Sequence, residues 1–223
     1  MSSGRRQTRS DRLARLCGLY AIVGDDEPVA RAEAVVTGGA RVLQLRMKRS
    51  PAGLLLDTAR RIVALARERA LVIVNDRPDV ALLSGADGVH LGEEDLPAKE
   101  ARALLGEELL VGATARTADD ALAALANGAD HIGYGPVFAS ETKKLAAPPR
   151  GLKALAAACQ AIPAPVIAIG GITLETIGAV AEAGARAAAV IGDLLERGDP
   201  RARAEALSSA FARGARSAGT PRP

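Results

Sequence analysis

The feature that most constrains this sequence is a short pattern that recurs along the chain. Gly-Ala follows a stretch with helical spacing and precedes a short apolar run in GGARVLQLR from Gly38, SGADGVHLG from Ser84, NGADHIGYG from Asn127 and EAGARAAAVIG from Glu182. Glycine commonly ends a helix because the residue after the helix adopts a left-handed conformation. The hydrophobic period then changes from that of a helix to that of a strand. The pattern therefore predicts a repeated helix-to-strand unit.

Read in this way, the whole chain contains eight candidate strands. They lie near 18–24, 41–46, 71–75, 88–91, 110–114, 131–135, 165–169 and 187–191, and amphipathic stretches follow them. Strands that are apolar throughout and alternate with helices indicate a parallel sheet covered by those helices. Eight such units predict a closed (β/α)₈ TIM barrel. The alternative is an open doubly wound sheet, although the turn after LYAIV lacks the G-x-G-x-x-G of a dinucleotide-binding version.

Composition limits the class of protein. The chain has 223 residues, of which 48% are hydrophobic, enough for one large domain. Cys17 and Cys159 are far apart, so we expect no disulfide framework and a reducing cytoplasmic location. With two histidines and no metal-binding cysteine spacing, a zinc site is not expected. Apolar runs are too short to span a membrane, and dispersed arginines interleaved with acids argue against a nucleic-acid surface.

The two ends of the chain have a different composition from its centre. Residues 1–10 are basic and residues 215–223 lack apolar periodicity, so we predict disordered tails there. The catalytic domain is predicted to cover residues 11–214. The oligomeric state is left open.

In a TIM barrel the active site forms at the C-terminal ends of the strands. Polar residues and glycines cluster at these ends and are therefore the candidate site residues. They are Gln44, Arg46, Lys48, Asn75, Asp76, Asp95, Thr114, Ser140, Thr142, Lys143, Gly170, Gly171, Ile191 and Gly192.

The glycine-rich ends of the last two strands predict a phosphate cradle. Gly170 and Gly171 follow the seventh strand, and Ile191 and Gly192 follow the eighth. Backbone N–H groups in these loops of a barrel commonly bind phosphate, and glycine lets the backbone approach the oxygens. The alternative is an ordinary strand-to-helix turn at each position.

Two acidic residues follow neighbouring strands and predict a Mg²⁺ site. Asp76 follows the third strand and Asp95 the fourth, with no soft ligands nearby. Paired carboxylates suit Mg²⁺, which also binds substrate phosphates. The alternatives are that Asp76 caps the helix before Pro78 and that Asp95 is a simple loop acid.

Three cations, Arg46, Lys48 and Lys143, are predicted to face the same mouth, which is the open end of the barrel formed by the C-terminal ends of the strands. Gln44 and Arg46 share one face of a strand, whereas Leu45 points the other way. Inward polar groups are costly unless a ligand or partner satisfies them. A metal, several cations and a separate cradle predict a site for two substrates, one a diphosphate with Mg²⁺ and one a monophosphate.

The same residues carry a resemblance to a known family. LQLRMK, IVNDRPDVALLSGADGVHLGEEDLP, GADHIGYGPVFASETKKLAAPPRGL and VIAIGGIT resemble the motifs of thiamine-phosphate synthase over nearly the whole body of the chain. The resemblance implies a (β/α)₈ barrel that joins hydroxymethylpyrimidine diphosphate to a thiazole phosphate and releases pyrophosphate. It also implies small-molecule partners and Mg²⁺ as cofactor.

The resemblance assigns roles position by position. Gln44, Arg46, Lys48, Asn75 and Lys143 would hold the pyrimidine diphosphate, and Asp76 and Asp95 would be the Mg²⁺ ligands. Ser140 and Thr142 would lie beside the thiazole phosphate, whose cradle would be Gly171, Ile191 and Gly192. Thr114 would be a substrate-binding hydroxyl, and Arg46, Lys48 and Lys143 would be the catalytic cations.

The sequence also departs from the family pattern. Met47 replaces a usual Glu, Thr114 a Ser, Arg116 a His and Gly192 a frequent Ser. Two alternatives therefore stay open, a thiazole tautomerase and a non-catalytic paralogue that binds thiamine precursors. The tautomerase relies on a His where Arg116 stands, and it lacks the Thr142-Lys143 pair.

Overall fold

A computed structural model describes residues 7–139 and 148–219 of the chain. Eight parallel strands close into a barrel in sequence order, with β1 paired to both β2 and β8. The strands are β1 Gly18–Val23, β2 Val42–Leu45, β3 Leu71–Asn75, β4 Gly88–Leu91, β5 Leu110–Ala115, β6 His131–Tyr134, β7 Val166–Ala168 and β8 Ala187–Val190. The predicted (β/α)₈ barrel is confirmed, and the open sheet is excluded.

Helices surround this barrel. In chain order they are α1 Arg9–Arg15, α2 Pro28–Thr37, α3 Ala52–Ala66, α4 Pro78–Ser84, α5 Ala98–Leu105, α6 Ala118–Ala126, α7 Gly151–Ala161, α8 Ile177–Glu182, α9 Gly192–Leu195 and α10 Pro200–Ser217. The repeated unit of the sequence accounts for α2 to α8 and α10. Among the described helices, α1 and the four-residue α9 are additions to that unit.

The core has two parts, as the strand alternation requires. Leu43 and Leu45 of β2 pack between the sheet and the helices, together with Met47 beyond the strand. Val42 lies in a smaller cluster inside the barrel. Because side chains alternate across a strand, Gln44 also points inward. Met47 is therefore on the side away from the barrel interior, where it packs as a core residue.

The predicted tail boundaries are wrong at both ends. Helix α1 begins at Arg9, because the Thr8 hydroxyl accepts a hydrogen bond from the Asp11 N–H (3.2 Å) in a capping box. Arg12 of this helix pairs with Asp87 at 3.0 Å, which fixes α1 against the barrel. At the other end α10 continues to Ser217, with Ala215 packed on the core. Residues 1–6 and 220–223, also predicted as tails, lie outside the described residues.

No described helix is both long and apolar enough to cross a membrane.

Candidate active site

An acidic pair and a lysine meet at the C-terminal ends of β2, β3 and β4. Asp76 follows β3 with a left-handed φ of 63°, unusual for a residue other than glycine. Its N–H donates to the His90 carbonyl (2.9 Å), and its carboxylate pairs with Lys48 Nζ at 3.0 Å. Helix α4 has Arg77 as its N-cap residue and no side-chain cap, so Asp76 does not serve as a helix cap.

Asp95 completes the pair from the loop after β4. Its carboxylate accepts a hydrogen bond from the Gly92 N–H (2.8 Å) and is hydrogen-bonded to Asp76. Burial, and then the hydrogen bond with Asp95, raise the pKa of Asp76 above its ordinary value, against the effect of Lys48. Burial also acts to raise the pKa of Asp95, but the hydrogen bonds with Asp76 and Gly92 outweigh it and lower that pKa.

This arrangement fits a divalent cation. Two hydrogen-bonded carboxyl groups cannot both ionise readily, and a cation between them removes that repulsion. Among the described residues no cluster of three or more His, Cys, Asp or Glu side chains has metal-binding geometry. The protein thus offers two carboxylates, and a bound Mg²⁺ would complete its shell with substrate oxygens and water, as this ion commonly does.

Gln44 is buried inside the barrel and has a partner that the sequence analysis missed. Its Nε2 donates to the Tyr20 hydroxyl of β1 at 2.9 Å. Arg46 follows the strand, is half-buried and makes no ion pair with any described residue. Asn75 ends β3 directly before Asp76 and is half-buried.

Thr114 of β5 belongs to a polar group inside the barrel. Its Oγ1 lies 3.1 Å from Nε2 of His90 on β4, and the His90 ring lies 5.8 Å from that of His131 on β6. Burial lowers the pKa of His90 to about 4 and that of His131 to about 3. Both rings are therefore neutral at neutral pH. Sequence reasoning missed both histidines, although Gly112 and Gly133 within neighbouring strands signal that a bulky neighbour fills their place.

The loops after β6 and β7 lie against each other at the proposed cradle. The Phe138 N–H donates to the Gly170 carbonyl at 3.1 Å. Gly170 and Gly171 have φ values of 92° and 63°, and a Cβ at Gly171 would lie 2.2 Å from the Ala139 carbonyl oxygen. Only glycine fits there without moving the backbone.

A buried aspartate links the cradle loops to each other. Asp193, in α9 directly after Gly192, accepts from the Leu174 N–H (3.0 Å) of the loop after β7. Arg203 of α10 pairs with the same carboxylate at 2.6 Å. Asp193 and Arg203, which the sequence analysis did not identify, thereby connect the segment that follows Ile191 and Gly192 to the loop after β7.

Three predicted residues, Ser140, Thr142 and Lys143, lie outside the described residues. Arg116, which stands where the family pattern has a His, is at the rim and pairs with Glu93 at 2.6 Å. Both of these side chains are exposed, so Arg116 is held by a rim partner.

Together, the fold and its mouth define a class of TIM-barrel enzyme suited to small phosphorylated substrates. The sequence profile described as thiamine monophosphate synthase matches residues 19–194. The chain belongs to this family, it is an enzyme of the transferase class, and its activity is thiamine-phosphate synthesis.

Individual relatives agree with the family assignment. A thiamine-phosphate synthase of Anaeromyxobacter dehalogenans is 59% identical over 96% of this chain and 93% of its own length. One from Myxococcus xanthus is 51% identical over 83% of this chain and 86% of its own length. The solved thiamine phosphate pyrophosphorylase of Pyrococcus furiosus is 32% identical, with a TM-score of 0.82 over 90% of this chain and 98% of its own.

Proposed function

We propose that the mouth binds hydroxymethylpyrimidine diphosphate with Mg²⁺ on one side and a thiazole phosphate on the other, and joins them with release of pyrophosphate. The observation that carries this proposal is the Asp76–Asp95 pair beside Lys48, across the mouth from the glycine-lined loops. The Asp76–Asp95 pair suits a metal-bound diphosphate, and the glycine-lined loops suit a monophosphate.

Each side chain has a role in this proposal. Asp76 and Asp95 hold Mg²⁺, which would neutralise charge on the departing diphosphate. Arg46 and Lys48 bind the diphosphate oxygens, Gln44, Asn75 and Thr114 orient the pyrimidine, and the N–H groups at Gly171, Ile191 and Gly192 hold the thiazole phosphate. Ser140, Thr142 and Lys143 enter this scheme through the family resemblance alone.

The chemistry requires orientation and charge neutralisation more than a nucleophilic side chain. The bond from the pyrimidine methylene carbon to the diphosphate oxygen breaks, the oxygen keeps the electron pair, and the thiazole nitrogen bonds to the carbon. Cations that face the leaving group stabilise the negative charge as it forms. Arg116, at the position where the tautomerase alternative relies on a His, is paired with Glu93 at the rim, and this favours the coupling reaction.

The test of the metal site is a coupling assay with and without excess EDTA. We expect activity to require Mg²⁺ and Asp76→Asn to lower it by about 100-fold or more, because the amide cannot neutralise the cation. Asn tolerates the left-handed backbone at this position, so the fold is kept. Asp79→Asn, which removes the partner of Arg77 away from the site, is the matched control. Full activity in EDTA would refute the metal assignment.

A second prediction concerns the loop after β6. Lys143→Ala should lower coupling far more than Lys144→Ala, because only Lys143 matches the family's lysine. The comparison uses kcat and KM of the two variants side by side. Equal losses would show that the charge contributed by this loop is not specific to Lys143.

A cytoplasmic location and the absence of a nucleic-acid partner also stay predictions.

A further inference from the structure

The His90 side chain makes one hydrogen bond within the described residues, and it is to Thr114. Its Nε2 lies 3.1 Å from Thr114 Oγ1, whereas Nδ1 is buried and has no hydrogen-bond partner there. His131 is buried as well, and neither of its ring nitrogens has a partner in the same part of the chain. These are the only two histidines in the sequence.

The strand register explains why the two rings face one another. His90, Gly112 and His131 occupy matching positions on β4, β5 and β6. A Cβ at Gly112 would lie 2.7 Å from His90 Nδ1 and 2.2 Å from His131 Nε2. Glycine therefore provides the space in which the two rings meet, and backbone carbonyls around them are engaged in the parallel ladder. Nδ1 of His90 faces this enclosed space.

The position of the single proton on His90 follows from this asymmetry. A proton on Nδ1 would be a buried N–H group with no acceptor, the more unfavourable kind of unsatisfied polar group. A proton on Nε2 lies in the hydrogen bond to Thr114 and leaves only a lone pair without a partner. A ring with a single proton adopts one of these two forms, and the enclosed position of Nδ1 favours the form with the proton on Nε2.

We propose that His90 is a positioning residue whose Nε2–H donates to Thr114 Oγ1, so that the Thr114 hydroxyl keeps its own proton for an acceptor nitrogen of the pyrimidine ring. This inference rests on the proposed function for the identity of the substrate. In the opposite tautomer Thr114 would donate to His90 and could only accept from the substrate. The direction of this one hydrogen bond thus determines whether Thr114 binds an acceptor nitrogen or a hydrogen-bond donor of the pyrimidine.

The proton can be observed directly in the full-length protein. Tag-free enzyme labelled with ¹⁵N-histidine gives two rings in a long-range ¹H–¹⁵N correlation spectrum, and His131→Phe assigns them. We expect His90 to carry its proton on Nε2. A proton on Nδ1 would overturn the proposal. This result does not depend on turnover, so a failure of the proposed function would be seen separately, as an absence of coupling by the wild-type enzyme.

Kinetics then test whether the hydrogen bond acts on the substrate. His90→Phe should raise the KM for the pyrimidine diphosphate by about tenfold, the effect of one lost hydrogen bond, and leave that for the thiazole phosphate unchanged. His90→Gln, whose amide N–H₂ reaches nearly the place of Nε2–H, should restore most of the affinity. An equal rise in both KM values, or no rise, would overturn the proposal.

A double-mutant cycle separates positioning from general support of the barrel. If His90 acts through Thr114, His90→Phe should have little further effect on KM in a Thr114→Val background. Thr114→Ser keeps the hydroxyl and is the matched control. Additive effects of the two substitutions would show that His90 acts independently of Thr114 and would contradict the assignment.

Discussion

At the scale of single residues, the Tyr20–Gln44 hydrogen bond fixes the orientation of the Gln44 amide inside the barrel. Gln44 is buried and its Nε2 donates to the Tyr20 hydroxyl at 2.9 Å. Tyr20→Phe leaves the amide N–H without this partner, and we expect the free energy of unfolding to fall by about 1–3 kcal/mol. Urea denaturation measures the change.

The control for Tyr20→Phe is the double variant Tyr20→Phe, Gln44→Met. Replacing both members of a buried pair by apolar groups of similar size costs much less than replacing one. The double variant should therefore recover part of the lost stability. If it is less stable than Tyr20→Phe alone, the penalty does not come from the unpaired amide.

The sequence singles out Asp76, Asp95 and Gln44 as candidate site residues because strand ends can be located from hydrophobic periodicity alone. It does not identify Tyr20, His90 or Asp193. Each of these acts through a partner on another strand or loop, and only the closed register brings them together. An inward histidine in an apolar strand has no distinctive local pattern, so its contact with Thr114 cannot be read from the chain.

At the scale of elements, the loops after β6 and β7, which we propose as part of the phosphate cradle, are in close backbone contact. A Cβ at Gly171 would lie 2.2 Å from the Ala139 carbonyl oxygen, at a φ of 63°. Gly171→Ala therefore has to move one of these loops, and we expect the KM for the thiazole phosphate to rise by about tenfold or more. Steady-state kinetics with each substrate varied in turn measure this change.

Gly85→Ala is the matched control for Gly171→Ala. Gly85 has a φ of 74° at the end of α4, and a Cβ there meets nothing within 4 Å. The two substitutions carry similar backbone strain, of about 1–2 kcal/mol, but only the first disturbs the cradle. If both variants change the KM equally, backbone strain and not loop displacement is responsible.

Element prediction succeeds where an amphipathic stretch and a strand are repeated, and it fails at the two helices that lie outside the repeat. Helix α9 is four residues long, too short for a helical period to show in the sequence. Helix α1 sits in a basic segment that suggests a tail, and its order comes from the Thr8 cap and the contact of Arg12 with Asp87. Both causes are tertiary or local capping effects that composition does not reveal.

At the scale of the whole molecule, the two histidines inside the barrel make stability depend on pH. Burial lowers the pKa of His90 to about 4 and that of His131 to about 3, from an ordinary 6.5. Below pH 6.5 the unfolded chain binds protons at both residues while the folded barrel does not. Above pH 6.5 both rings are neutral in the folded and the unfolded chain and do not alter stability, whereas the difference in proton binding lowers stability progressively as the pH falls from 6.5 toward 4. Each ring should lower the free energy of unfolding by up to about 1.4 kcal/mol per pH unit.

His131→Phe isolates the contribution of one ring to this slope. Denaturant unfolding at a series of pH values between 7 and 4 should show a shallower decline for the variant, by up to about 1.4 kcal/mol per pH unit. At pH 7 the variant should be at least as stable as the wild type, because Phe has similar bulk and buries no unpartnered nitrogen. Parallel pH curves for the two proteins would mean that His131 binds a proton as readily in the folded barrel as in the unfolded chain.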